Sequence, residues 1–339
     1  MVAPALVLLV TFLIVPFVAA FVLSFTNQRL ISPNPTKYVG AANYRQALTL
    51  RWVTADPLPE RGPNGEHQYP TARTFTRNNP DHRSLAGLQE WRHFGWGNKR
   101  IYILAGDSLF IRALINTFFF ALVIVPAQSG LGLVLALLVN AKSRFTNVFR
   151  TIYFLPVVTS MVVISILWSF LYNAQTGLIN QVIDAVSFGL VKPINWLGNP
   201  RTALPAIMIM SIWQAVGFHM VIWLAGLQNI DGALYEAAAI DGASARDQFR
   251  FITWPGLRNT SVFILVTITI AALGLFTQVD VMTNAGPRDA TRTVVYHAVN
   301  AGYGEQNIAY GSTIAVVFFV IVLFVAILQR YFTREAAQA

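Results

Sequence analysis

The chain contains no cysteine, which excludes a disulfide scaffold, a thiolate nucleophile and a cysteine-ligated metal. Charge is scarce as well: 12% of the 339 residues are Asp, Glu, Lys or Arg, against about 25% in a soluble domain. Catalytic signatures are missing too. There is no G-x-x-x-x-G-K-[ST] phosphate loop, no H-E-x-x-H and no G-x-S-x-G, so neither a usual ATP loop nor a framed nucleophile is present. Ionisable groups almost vanish inside the apolar runs, where only His219 and Asp280 come near membrane depth. Carriers coupled to ions or protons keep such groups along their pathway, because charge in hydrocarbon is costly and is retained for function. Their scarcity argues against a secondary carrier or a filtered channel.

What is abundant is apolar: 55% of residues are hydrophobic, and the mean hydropathy is +0.53. Six runs are each long enough to cross a ~30 Å hydrocarbon core as a helix: Met1–Phe25, Leu109–Asn140, Thr151–Tyr172, Ala203–Leu227, Ser261–Val279 and Ala309–Leu328. The first lacks a basic leader and a small-residue cleavage site, so it is read as a retained span. The net charge of +9 is dispersed among the loops without a nucleic-acid motif. Short loops and the tail on one side carry Lys142, Arg144, Arg150, Arg246, Arg250, Arg258, Arg330 and Arg334. The other side carries Lys192, Arg201, Arg288 and Arg292, with Arg112 at a helix mouth. The basic excess puts the loop after the fourth run, and both termini, in the cytoplasm.

Thr26 to Ser108 differs from the rest, holding eleven of the 24 basic and six of the 15 acidic residues. Long loops translocate largely regardless of charge, so this stretch is expected outside. Runs such as Pro57-Leu58-Pro59 and Arg61-Gly62-Pro63-Asn64-Gly65 predict turns rather than long helices. His67, His82 and His93, with Asp81 and Glu90 nearby, match no usual ligand spacing, and no metal site is assigned. Further along, Gly177–Ile183 is expected as a short amphipathic helix at the outer interface, with Leu178, Val182 and Ile183 on one face. Pro193–Leu197 is expected to re-enter the membrane, with Trp196 in the headgroup layer.

The polar stretch Glu236–Pro255, EAAAIDGASARDQFRFITWP, lies between the fourth and fifth runs. Asp231 is placed to cap a short helix through Ala237–Ala239, and Gly242 lets the chain turn away. Glu236-Ala237-Ala238, Gly242, Ile252 and Pro255 resemble, in type and spacing, the EAA motif of binding-protein-dependent ABC importer permeases. Tyr38-Val39-Gly40, Asn43-Tyr44, Asp107–Phe110, Tyr153-Phe154-Leu155-Pro156 and Thr283–Pro287 resemble other parts of that family. The likeness is closest to its carbohydrate-uptake branch, with maltose- and glycerol-3-phosphate-type permeases.

The resemblance implies an all-α integral membrane fold of six transmembrane helices, the type I ABC importer permease fold. Residues 1–339 would form one permease domain, with 48–106 an extracytoplasmic insert between helices 1 and 2 and 231–257 a cytoplasmic coupling loop. Glu236, Ala237, Ala238, Asp241, Gly242, Phe249 and Pro255 would couple to the ATPase. Trp213, Gln214, Gly217, Phe218, His219, Phe276, Thr277 and Gln278 would line a path for a sugar-like solute, where the alternative is helix packing. The chain would be no enzyme and hold no cofactor, ATP and Mg being on partner subunits. Implied partners are a second homologous permease subunit, two ATP-binding subunits and an extracytoplasmic solute-binding protein, all at the bacterial cytoplasmic (inner) membrane. A membrane anchor presenting the insert is the other reading, and it leaves the coupling-loop pattern unexplained. The insert, without cysteine and within the Thr26–Ser108 stretch of net charge +5, is expected to lean on the paired permease or, preferentially, on the binding protein.

Overall fold

The structure, a computed structural model, describes residues 3–59, 67–77, 84–140 and 146–335. The turn at Arg61–Gly65 and the residues Asp81, His82, Lys142 and Arg144 lie outside the described residues. Contacts divide the chain into two units, 1–114 with 297–319, and 115–296 with 320–339.

The first unit begins with α1 (Ala3–Leu23), 21 residues, apolar except for Thr11, none of which is buried by the rest of the chain. A π turn at Val10–Ile14 precedes Pro16, whose missing N–H cannot close the regular ladder. The carbonyls left over at the C-terminal end of α1 find partners. Asn43, on α2 (Ala42–Leu48), donates to Ser24 O at 2.9 Å and Thr26 O at 2.8 Å, and Thr313 donates to Ser24 O at 3.1 Å. Such ends otherwise carry orphan acceptors.

The segment after α2 departs from the all-helical expectation. Strands β1 (Leu50–Ala55), β2 (Gln89–Trp96) and β3 (Lys99–Ala105) form an antiparallel sheet in the order β1-β3-β2. Helix α3 (Ala72–Thr76) lies by one face, where Ala55, Ala72, Leu85, Tyr102 and Leu104 form a small core with Val53, Phe75 and Leu88. His93 is hydrogen-bonded to Glu90 at 2.6 Å on the same strand.

Where the sheet meets the next helix the chain is tightly held. The Gly106 N–H donates to Thr49 O at 2.9 Å, and a Cβ at Gly106 would stand 2.2 Å from Gln46 O. Asp107 then starts α4 (Ser108–Asn140) by accepting from the Phe110 N–H at 2.9 Å. Its other oxygen accepts from His297 Nε2 at 2.8 Å and from Tyr310 OH at 2.6 Å. These donors lie on α13 (Val294–Val299) and α14 (Ile308–Glu335).

In the second unit α4 continues against α8 (Ala203–Gln228). Gly132 permits the approach, since a Cβ there would stand 3.1 Å from His219 Cβ and 3.3 Å from Trp223 Cδ1. Gln128 donates to Ser211 O at 2.8 Å and Trp223 Nε1 to Ser129 O at 3.0 Å, so polar groups cross the interface in pairs. Gly130, by contrast, has open space around it.

The third apolar run is two helices, α5 (Thr146–Val158) and α6 (Met161–Leu171), with a 104° bend across the break. Pro156 weakens the ladder just before it, and Ser160 adopts an extended backbone, ψ 133°. The fifth run also differs from expectation. Helix α10 (Ala245–Gly256) bends by 64° into α11 (Arg258–Leu273), which stops at Gly274; α12 (Thr277–Thr283) is separate. Among the described residues four helices are long and apolar enough to cross a membrane, or six if each bent pair is one span.

The amphipathic helix is present as α7 (Leu178–Ser187), with Leu178, Val182 and Val186 exposed. Pro193–Leu197 forms no helix, and the chain resumes a helix only at Ala203. Trp196 instead donates to Asn180 Oδ1 at 3.0 Å, Asn180 being buried.

Burial alone would raise the Asp107 pKa, but hydrogen bonds from His297, Tyr310 and the Phe110 N–H, with the His297 charge, bring it from 3.8 down to about 2. A depressed carboxyl pKa contributes stability that is complete above the ordinary value and is lost as pH falls through the folded-state value. Asp107→Asn should therefore lower the melting temperature of the solubilised protein at pH 7. The gap to wild type should shrink between pH 4 and pH 2; a gap constant across that range would contradict this role.

Candidate functional site

The loop after α8 carries the first group of candidate residues. Asp231 has an extended backbone and accepts from the Ala233 N–H at 3.0 Å, starting α9 (Gly232–Ile240). Helix α9 therefore forms where propensity and cap agree, and no residue in it is buried. Glu236, Ala237, Asp241 and Gly242 are exposed and Ala238 is half-buried. Leu234 and Ile240 are exposed too, Ile240 by 86%.

Gly242 has φ +78°, a left-handed conformation that a side chain disfavours. Ser244 and Asp247 then form a reciprocal capping box at the start of α10. Phe249 and Pro255 both lie within α10, and the bend comes after Gly256. Tyr235 OH ties α9 to α10 by its hydrogen bond with Thr253 Oγ1 at 2.9 Å, and Ile230, just before α9, fills the space beside Gly256. Phe251 and Trp254 remain exposed. The result is a short, pinned pair of helices offering polar and apolar side chains together, joined through one bend to the long helix α11.

The second group is distributed over three surroundings. Trp213 faces α5 and α6, where a groove of about 420 Å³ is lined by Tyr153, Pro156, Thr159, Leu167 and Trp213. Gly217 lies against α5, since a Cβ there would stand 1.8 Å from Tyr153 O. His219 is buried towards Gly132 of α4, with Nδ1 3.0 Å from Ala215 O. Gln214 and Phe218, one helical turn apart, form a row in which Phe218 is exposed and Gln214 half-buried. Phe276, Thr277 and Gln278 are half-buried at the break between α11 and α12. Phe276 stacks on Tyr296, with centroids 6.2 Å apart.

Two arrangements escaped the sequence reading. Trp168 on α6 joins Trp213 and Tyr172 in an aromatic cluster, with centroids 5.4 Å and 5.3 Å away. At the C-terminal end of α12, Tyr296 is hydrogen-bonded to Asn284 and lies under Arg292, itself 2.7 Å from Asp289. Asn116 of α4 holds this turn by donating to Asp289 O at 3.2 Å and Arg292 O at 2.9 Å. Their separation in sequence left no local signal beyond the Thr283–Pro287 stretch.

Comparison with known proteins agrees with this architecture. Residues 128–338 match the family described as binding-protein-dependent transport system inner membrane component. A probable ABC transporter permease protein, YurN of Bacillus subtilis, is 33% identical over 244 residues, covering 71% of this chain and 83% of that protein. The lactose transport system permease protein LacF of Rhizobium radiobacter is 36% identical, covering 70% of this chain and 81% of that protein. The trehalose/maltose transport system permease protein MalF of Thermococcus litoralis is 36% identical, covering 71% and 80%. In structure, the chain is similar to one in a bacterial alginate ABC transporter crystallised with an alginate pentasaccharide-bound periplasmic protein. There the TM-score is 0.63 at 22% identity, over 68% of this chain and 80% of that one.

The chain belongs to the binding-protein-dependent transport system inner membrane component family. It is a membrane protein, the transmembrane permease of an ABC importer.

The tie between α9 and α10 can be tested directly. Tyr235→Phe removes the hydrogen bond to Thr253, a change of about 0.5–1.5 kcal/mol. Amide exchange across 232–240 should become several-fold faster while α8 and α11 keep their protection. Unaltered exchange in α9 would show that the tie does not hold it.

Proposed function

We propose that this chain is one of two homologous permease subunits in a six-span, type I importer at the bacterial cytoplasmic (inner) membrane, with both termini in the cytoplasm. Two ATP-binding subunits bind ATP and Mg beneath the pair. An extracytoplasmic solute-binding protein delivers a sugar-like solute on the other side, where residues 48–106 form an insert between the first two spans. The sugar assignment is supported by the lactose and trehalose/maltose permeases among the relatives.

The observation that carries this reading is the exposed α9–α10 pair within 231–257. Helix α9 buries none of its residues within the chain, yet it is capped, pinned by Tyr235 and connected to α11 through a single bend. An element so ordered and so uncovered suits insertion into a partner. Glu236, Ala237, Ala238 and Asp241 present the docking face, Gly242 sets the turn, and Phe249 and Pro255 carry displacement into α10 and the span. ATP-driven closure of the two partners would then rock the spans from inward- to outward-facing.

For the solute, aromatic faces suit the C–H surfaces of a sugar, and uncharged amides and hydroxyls suit its hydroxyl groups. Trp213, Gln214, Phe218, Phe276, Thr277 and Gln278 offer both, and all are exposed or half-buried. Gly217 and His219 enter this reading as the packing that fixes the row, given their surroundings against α5 and α4.

Gly242→Asp and Glu236→Lys should leave the permease in the membrane but uncouple ATP hydrolysis from uptake, or weaken ATPase association. Normal uptake by both at wild-type expression would remove this loop from the mechanism. Gln214→Leu or Gln278→Leu should lower uptake by up to about tenfold, since a lost neutral hydrogen bond is worth about 0.5–1.5 kcal/mol. Unchanged uptake in assembled complexes would make both glutamines packing residues.

A further inference from the structure

The sheet β1-β3-β2 has one covered face and one open face. Strand register sorts its residues: Trp52, Ile103 and Arg92 pair across one row, and Thr54, Ile101 and Phe94 across the next. Leu50, Ala105 and Gln89 lie on one side of these rows, with Lys99 and Trp96 on the other. Paired residues in adjacent strands point to the same face, so all of these share one surface. The alternate residues Tyr102 and Leu104 of the central strand are buried on the opposite face, in the core with α3. On the open face Trp52 is 79% exposed and Trp96 74%, and Leu50 and Phe94 are exposed as well. Even Ile101 and Ile103, in the middle of the sheet, are only half-buried.

We infer that this open face is a docking surface for the extracytoplasmic solute-binding protein, an inference that rests on the importer reading above. Its composition is that of an interface centre, tryptophan and phenylalanine with arginine beside them. Its size decides between occupants. Three strands about 4.8 Å apart and four rows of residues make a patch of roughly 300–400 Å². A lasting interface needs about 800 Å² from each partner. The patch is thus too small to hold a permanent neighbour such as the paired permease by itself. It suits one element of a contact made and broken in each cycle, which is what a shuttling binding protein requires. Position argues against a lipid anchor. Trp96 and Lys99 sit at the hairpin end of β3, six residues or about 20 Å along the strand from Ala105, where the chain turns into α4. The rings therefore spread along the whole sheet instead of gathering at the membrane root.

The base of the sheet is suited to bear the contact. Gly106 packs on the Gln46 backbone, and Asp107 fastens the start of α4 to α13 and α14 within the same unit. A partner seated on the face would bear on a platform fixed to the root of a long helix.

The test uses the permease assembled with its partner subunits in lipid nanodiscs and titrated with the solute-binding protein encoded nearest this chain. Trp52→Ser with Trp96→Ser should weaken binding at least tenfold, while ATP-binding subunits still co-purify and basal ATP hydrolysis is unchanged. Phe94→Ser alone should weaken it by a smaller factor. Unchanged affinity in the double variant would overturn the inference. A photoreactive benzoylphenylalanine at position 94 should cross-link to the binding protein; a lipid, glycan or paired-permease adduct in its place would also overturn it. If the wild-type assembly binds no solute-binding protein while its ATP-binding subunits are present, the importer reading fails along with this one.

Discussion

A bilayer core offers no water to a backbone N–H or C=O, so every such group inside it must be satisfied by the chain. The architecture follows from that constraint. The apolar runs are helical because a helix closes its own hydrogen bonds, and each place where a helix stops needs a substitute. At the end of α1 the spare carbonyls are taken by Asn43 and Thr313. At the start of α4, Asp107 receives the Phe110 N–H, and its other oxygen is hydrogen-bonded to His297 and Tyr310. Between α4 and α8, amide and indole groups reach across to main-chain carbonyls.

The same constraint makes the breaks informative. A helix is interrupted between Val158 and Met161, after Gly256 and between Leu273 and Thr277. Irregular backbone at membrane depth is tolerated where it is buried in protein or lines a cavity. Two breaks adjoin candidate functional residues: the groove by Trp213 lies at the α5–α6 bend, and Phe276 lies in the α11–α12 gap. The third sits between α10 and α11, where the loop helices join a long one through a 64° bend.

Much of this was legible locally. Apolar length marked the runs, and the sequence Asp231, Ala237–Ala239, Gly242 marked a capped helix followed by a left-handed turn, both present in the fold. What escaped depended on distant partners or on competing signals. Asp107 reads as an ordinary cap, because His297 and Tyr310 are 190 and 203 residues away. Strand β2, Gln-Glu-Trp-Arg-His-Phe-Gly-Trp, mixes charge and aromatics and contains a bulge, so its alternation is hidden. Gly274 ends a helix, but it lies inside an apolar run that hides the break. Of the candidate path residues, sequence alone could not separate Gly217 and His219, which pack, from Gln214 and Phe218, which form a row.

The central claim is that α9 is the cytoplasmic surface through which this permease meets its ATP-binding subunit. The absence of cysteine makes a clean measurement possible. A single Ile240→Cys, at the exposed end of α9, can be paired with cysteines placed around the cleft of the ATP-binding subunit in native membranes. A disulfide cross-link between the two chains that responds to ATP is the predicted result. Failure to cross-link at any cleft position, with Ile240→Cys modified from outside the cell by an impermeant maleimide, would contradict it.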